Sequence, residues 1–272
     1  MASRFAAGHS CRVQRGPARQ SLRFIYWESV NQRPTGSRRA AFSRRCSDNR
    51  YVGSLDRPGW RRPVTRCRRT AREASIEQAA AIEGEFVNPL SLLRAIDRAA
   101  GDNAIFVADG GDFVATASYI LRPRGPRSWL DPGPFGTLGV GAGFGLAAAL
   151  CRPEAEVWIL FGDGACGYGL TEFDTFVRHG IPIIAVVGND AGWTQIAREQ
   201  VKLLKDDVGT VLARSAYHEV AAGFGGEGIL VKTASEISGA IARARATAKS
   251  GRPVLINAWL NPTAFREGSI AM

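Results

Sequence analysis

Lysine is missing from the first 72 of the 272 residues, which carry 18 arginines against only three acids, Glu28, Asp48 and Asp56. That segment has a net charge of +15, so the other 200 residues carry −5 of the +10 total and basicity is confined to one end. It lacks any sustained hydrophobic period. Its one apolar patch, residues 22–27, falls far short of the ~20 residues that span a bilayer. So little apolar surface cannot offset the entropy of ordering, and residues 1–72 are expected to be disordered. Three readings stay open for this Arg-rich, acid-poor segment: an organellar transit peptide, a nucleic-acid-binding arm that no aromatic spacing supports, or translated GC-rich upstream sequence.

Cysteine and histidine are also scarce. The five cysteines (Cys11, Cys46, Cys67, Cys151, Cys166) are odd in number and follow no zinc or redox spacing, which excludes a disulfide framework and points to free thiols in a reducing compartment. Of three histidines, His179 and His218 each stand alone in a helical context, which suits surface or cap positions better than catalysis. Apolar residues make up 45% of the chain, enough for a core.

The ordered part alternates. Residues 73–87 read as a linker with an approach helix over 74–82. Asn88-Pro89 opens a helix to about Ala100, Asn88 as N-cap and Pro89 in the first turn, with Leu90, Leu93 and Ile96 on one apolar face. Strands are expected at 104–108, 157–161, 181–187, 229–231 and 254–259, and helices at 140–150, 170–178, 217–222 and 235–249. This alternation predicts an α/β fold with a mostly parallel sheet and helices on both faces, over residues 88–272.

Two strand ends carry the chemistry. The apolar run 157–161 stops at Gly162-Asp163-Gly164-Ala165, and the run 181–187 stops at Gly188-Asn189-Asp190-Ala191-Gly192-Trp193. In a β-α-β unit both turns emerge side by side at the carboxyl edge of the sheet, so Asp163 and Asn189 become neighbours. A carboxylate, a carboxamide oxygen and a backbone carbonyl suit Mg²⁺ shared with a ligand's phosphates. The glycines and the helix start allow close approach of an anion. Asp109 and Asp112, after the first strand, read as caps or hydrogen-bond partners in the site wall. Gly139, Gly141, Gly143 and Gly145 fail as a dinucleotide fingerprint, because Phe144 occupies the third glycine position and no strand precedes them. Cys166 reads as a small residue packed beneath the site.

Gly162-Asp163-Gly164 followed by Asn189-Asp190 resembles the fingerprint of thiamine diphosphate-dependent enzymes, with Asp190 replacing the commoner second Asn. The resemblance implies Mg²⁺ bound by Asp163, the Asn189 side chain and the Ala191 carbonyl. It implies a cofactor cradle of Gly111, Asp112, Gly162, Asp163, Gly164, Ala165, Asn189, Gly192 and Trp193. Gly136-Thr137-Leu138-Gly139 is similar to the family turn in which a carbonyl, here that of Gly136, meets the aminopyrimidine and a bulky side chain, here Leu138, wedges the two rings. Trp193 and Gln195 are candidates for lining the substrate, although a surface helix explains them equally well.

The resemblance covers residues 88–272 and is strongest to the pyrophosphate-binding domain of acetolactate synthase-like proteins and 2-hydroxyacyl-CoA lyases. It implies cleavage of 2-hydroxyacyl-CoA thioesters or joining of 2-oxo acids. In the family a glutamate from a separate pyrimidine-binding domain of the facing subunit activates the cofactor, and no matching segment occurs here. The implied partner is therefore a full-length homologous subunit, with a non-catalytic chain docking on such relatives as the alternative. Nucleic acid is not implied. Relatives suggest the endoplasmic reticulum, while the Arg-rich start suggests mitochondria.

Overall fold

Asn88 sets where the first helix of the sheet layer begins. Its Oδ1 accepts from the amides of Leu90 (2.9 Å) and Ser91 (3.4 Å), and Pro89 follows at the first helical position. Those two features satisfy orphan N–H groups and preset φ for helix α1, Pro89–Ala99. The computed structural model describes residues 73–266. The expectations for residues 1–72, including the disorder, the apolar patch and Cys11, Cys46 and Cys67, lie outside the described residues. Ahead of α1, residues 73–80 are helical and bury Ile76 in the core.

Six strands form one all-parallel sheet in the order β2-β1-β3-β4-β6-β5. They are β1 (Ile105–Ala108), β2 (Trp129–Leu130), β3 (Val157–Gly162), β4 (Ile183–Asn189), β5 (Glu227–Val231) and β6 (Val254–Trp259). The helices after α1 are α2 (Asp112–Ile120), α3 (Gly141–Cys151), α4 (Asp163–Gly169), α5 (Glu172–His179), α6 (Thr194–Leu204), α7 (Tyr217–Gly223) and α8 (Ile237–Lys249). Successive strand side chains point to opposite faces, which splits the core in two. Phe106, Trp158, Leu160, Ile184, Val186 and Ile256 pack with α1, α2 and α8. Val107, Ile159, Phe161, Ala185, Val187 and Leu255 pack with α3, α5 and α7. The expected α/β class with helices on both faces is the one observed.

Two local readings differ. The helix expected at 170–178 is α5, and a separate short helix, α4, starts directly at Asp163. Gly-rich DGACGYG has poor intrinsic helix propensity, and packing of Ala165 and Cys166 under the sheet overrides it. The two-residue β2 and the helix α2 had no periodic signal. α6 buries none of its residues, unlike every other α-helix named here. No helix among the described residues is long and apolar enough to cross a membrane.

The chain leaves β1 toward β2 on one side and returns to β3 on the other. The order in which strands are added thus reverses between β1 and β3, and a crevice opens outside their carboxyl ends.

Candidate functional site

Four segments converge on that crevice. Asp109, just after β1, is buried and holds the 136–141 turn by its carboxylate: Oδ1 accepts from Gly139 N and Oδ2 from Gly141 N, both at 2.8 Å. Burial raises its pKa, with those two bonds opposing. Asp109 is thus the wall residue its position suggested. Gly136 (φ 58°) and Gly139 (φ 85°) adopt left-handed backbone. Leu138 between them lies on Gly110, where a Cβ would stand 2.1 Å from its Cδ2. The turn expected to support the cofactor rings therefore stands beside the first strand end.

The β1 and β3 turns touch backbone to backbone. Gly162 N donates to Gly110 O at 2.7 Å, and a Cβ on Gly111 (φ 104°) would meet Gly162 Cα at 3.0 Å. Only glycine tolerates that approach. Asp163 then opens α4 with its carboxylate folded back: Oδ1 accepts from Gly164 N (2.8 Å) and Oδ2 from Gly192 N (3.0 Å). The 162–164 and 189–193 turns are joined at this point, as the paired motif predicts.

A cavity of about 10 Å³ lies where these turns meet, the volume of about one water molecule. Gly111 and Asp112 line it from the first turn, Gly162, Asp163, Gly164 and Ala165 from the second, and Asp190, Gly192, Trp193 and Gln195 from the third. The Asp190 carboxyl is pushed up to about 7 by burial, opposed by a hydrogen bond from Thr194 and reinforced by the charges of Asp163 and Asp112. Burial likewise raises Asp163, opposed by the backbone hydrogen bonds from Gly164 and Gly192. Two carboxylates facing one cation-sized space, each destabilised as an anion, form a donor set that fits a divalent ion. Among the described residues no cluster of three or more His, Cys, Asp or Glu side chains could hold a metal, so backbone oxygen, water or ligand phosphate must complete any coordination.

The second strand end sends Asn189 and Asp190 to opposite sides. Asn189 is fully buried, but its carboxamide faces away from the cavity: Nδ2 donates to Asn257 Oδ1 (3.2 Å) and Ser215 O (3.3 Å), and Oδ1 accepts from Ala191 N (3.3 Å). Neighbouring residues at a strand end face opposite sides, so it is Asp190 that enters the cavity. The Ala191 carbonyl accepts from Leu212 N at 2.9 Å, and Trp193 N donates to Thr210 O at 2.7 Å. These bonds flank the antiparallel bridge Gly192–Val211, and turn the Gly192 amide to the opposite edge, where it donates to Asp163. The sequence alone did not place Asp190 in the cavity, and two-residue strand alternation was the signal that could have done so.

Asp112 lines the cavity, yet its carboxylate is engaged. Arg198 of α6 pairs with it bidentately, Nε to Oδ1 at 3.0 Å and Nη2 to Oδ2 at 2.8 Å, and Arg266 Nη1 reaches Oδ1 at 3.4 Å. Arg266 Nη1 also donates to Gln195 Oε1 at 2.6 Å. The Trp193 ring covers Gly164, where a Cβ would come within 2.5 Å of it. Cys166 is fully buried beneath the site, and burial raises its thiol pKa far above the reactive range. Cys151 and Cys166 are free thiols. His179 is exposed at the end of α5, and His218 Nδ1 lies 3.2 Å from Asn257 Nδ2.

A family model for the C-terminal TPP-binding domain of thiamine pyrophosphate enzymes matches residues 109–258, which contain all four turns. A human protein named 2-hydroxyacyl-CoA lyase 2 is 50% identical over 217 residues, covering 79% of this chain and 34% of its own length. The Mycobacterium tuberculosis acetolactate synthase large subunit is 34% identical over 213 residues, 78% of this chain and 38% of its own. A solved thiamine diphosphate-dependent 4-hydroxybenzoylformate decarboxylase from Rhodococcus jostii RHA1 aligns with a TM-score of 0.60 at 25% identity, over 66% of this chain and 34% of that one. The chain thus spans about a third of the length of the curated relatives it matches. It belongs to the thiamine pyrophosphate enzyme family, with residues 109–258 as the C-terminal cofactor-binding domain.

Proposed function

We propose that the crevice between β1, β3 and β4 binds the diphosphate of thiamine diphosphate through Mg²⁺, with Asp163, Asp190 and the Gly192 carbonyl as the protein ligands. The observation that carries this reading is the pair of carboxyls, Asp163 and Asp190, lining one water-sized cavity. Each Asp163 oxygen accepts one backbone hydrogen bond and so retains a lone pair for a metal. The glycine approach of Gly111 to Gly162 leaves room for phosphate oxygens, and the backbone N–H groups at the start of α4 favour negative charge there. Leu138, held on Gly110 by the Asp109-anchored turn, is positioned to support the rings.

When bound, thiamine diphosphate supplies an electron sink for breaking or making a carbon–carbon bond next to a carbonyl. The residues of this chain anchor and orient it, and Trp193 with the α6 segment shields the diphosphate side from water. The reaction we assign is cleavage of a 2-hydroxyacyl-CoA thioester, as the name of the 50%-identical human relative suggests. Carboligation of 2-oxo acids is the second choice, favoured by the more distant synthase. We assign the acid that activates the aminopyrimidine to a facing, homologous full-length subunit, as the family resemblance implies.

Calorimetric titration with thiamine diphosphate, with and without Mg²⁺, tests the site, and Mg²⁺-dependent binding is expected. Turnover of a 2-hydroxyacyl-CoA is expected only when a full-length relative is added. Vigorous turnover by this chain alone would remove the need for a partner, and cofactor binding indifferent to Mg²⁺ would remove the metal.

A further inference from the structure

A polar residue sits where the sheet should be apolar. Asn257 interrupts the β6 run between Ile256 and Ala258 and is fully buried. An amide buried in a central strand is destabilising unless each of its polar atoms is matched, and here each one is. Nδ2 donates to Ser215 O at 2.9 Å and to His218 Nδ1 at 3.2 Å, and Oδ1 accepts from Asn189 Nδ2 at 3.2 Å. Asn257 is not among the residues that line the cavity.

We infer that Asn257 is a positioning residue for the metal-binding turn, acting through Asn189. This rests on the assignment of Asp163 and Asp190 as metal ligands. In the β4–β6 register Asn257 stands opposite Val187, which puts it diagonal to Asn189 on the same face of the sheet. The donors and acceptors admit one arrangement. Ser215 O can only accept, so both Nδ2 groups face it; Ala191 N can only donate, so Asn189 Oδ1 faces that amide. The remaining N–H of Asn189 then has Asn257 Oδ1 as its acceptor.

Locking Asn189 has a consequence on the other face. Its Oδ1 holds the Ala191 amide while Ala191 takes φ +60°, a left-handed conformation unfavourable for an alanine. The Asn189 carbonyl is fixed as well, accepting from Leu260 N at 2.9 Å and Arg214 Nη1 at 2.5 Å. With both ends held, the turn presents Asp190 to the cavity and Gly192 N to Asp163 Oδ2. Without Asn257, the Asn189 amide loses a buried partner and the strained Ala191 turn loses the group that orients its anchor. The chain reaches the metal turn from β6 without placing any β6 atom in the site.

The test is Mn²⁺ binding to the full chain in the presence of thiamine diphosphate, read by electron paramagnetic resonance. Asn257→Leu keeps the volume, and Asn257→Ala is the second variant should the first fold poorly. Either is expected to weaken Mn²⁺ binding about 10- to 100-fold, as loss of an outer-shell partner does. The same loss is expected for Asn189→Ala, and the double variant should be no worse than Asn189→Ala alone, because both act on one turn. Ile256→Val, which trims the neighbouring core residue, should lower the melting temperature and leave Mn²⁺ binding unchanged. If Asp163→Ala abolishes Mn²⁺ binding while the Asn257 variants bind like wild type, or if their losses add to that of Asn189→Ala, the positioning role is overturned and the site stands. If Asp163→Ala binds like wild type, or wild type itself binds no Mn²⁺, the metal assignment falls and the inference with it.

Discussion

The Asp163 carboxylate accepts a hydrogen bond from the Gly192 amide at 3.0 Å, across 29 positions of sequence. Two loops that follow different strands are thereby fastened at one oxygen. Whatever binds between them meets a preformed turn, because Gly192 is already oriented by its bridge to Val211.

The ligand set makes the first prediction. Asp163→Ala and Asp190→Ala should each weaken Mg²⁺-dependent thiamine diphosphate binding by more than about 100-fold, beyond the range of an outer-shell loss. Asn189→Ala should cost less, because its amide never enters the cavity. Isothermal titration of the three variants decides the order. A dead Asn189→Ala beside a normal Asp190→Ala would return the metal to the carboxamide.

Gly188 tests how tightly the site wall is packed. A Cβ there would stand 2.2 Å from the ring of Phe113 in α2, so Gly188→Ala forces the ring or the helix to move. Overpacking of this kind costs about 1–3 kcal/mol, a fall in melting temperature of about 2–4 °C per kcal/mol for a domain of this size. Phe113→Leu in the same chain should recover part of that loss. Strictly additive effects of the two substitutions in thermal melts would show that the ring is not what the methyl group meets.

His218 predicts the pH response of the fold. Burial holds its imidazole below the ordinary value of 6.5, with Glu219 opposing and Lys232 adding to the shift. The unfolded chain therefore takes up a proton at higher pH than the folded one. The stability tied to neutral His218 is complete above about pH 6.5 and is lost as pH falls through the lower folded value. Its Nδ1 faces the Asn257 amide, and protonation would set two donors against each other. His218→Asn keeps an acceptor near that position and should flatten the dependence of melting temperature on pH between 8 and 5. An identical slope in wild type and variant would clear His218 of any part in it.

Arg198 anchors α6. That helix has no buried residue, while Ile196, Leu203 and Leu204 on it and Val208 and Val211 beyond it are exposed. Its hold on the sheet is polar, the bidentate pair with Asp112 and a bond to Thr263 O at 2.8 Å. Arg198→Met should raise amide hydrogen exchange over residues 192–211 while the strands keep their protection. Unchanged exchange in that segment would mean that apolar contact, not the ion pair, holds it down.

Legibility in the sequence followed the range of the interactions. The Asn88 cap, the strand β6 and the parallel alternation are set by residues close in sequence, so pattern alone reaches them. The meeting of Asp163 with the β4 turn was legible too, since a β-α-β unit fixes which strand ends adjoin. That Asn189 turns away while Asp190 lines the cavity was not drawn from the motif, because the motif names the pair but not the faces of the strand. The pairing of Asp112 with Arg198 and Arg266 joins positions 86 and 154 apart, and nothing local to any of the three announces it. Helix α4 was not assigned as a helix of its own, because the glycine content of residues 163–169 outweighed, on paper, the tertiary packing that folds it.

The bridge at the root of the 192–211 segment separates two jobs that one stretch of chain performs. Its bonds from Leu212 to Ala191 and from Trp193 to Thr210 clamp the turn from outside. Residues 194–209 can therefore lengthen or change composition at a closure cost that grows only with the logarithm of their number. The arch is free to vary while the clamp beneath it keeps the Gly192 amide on Asp163.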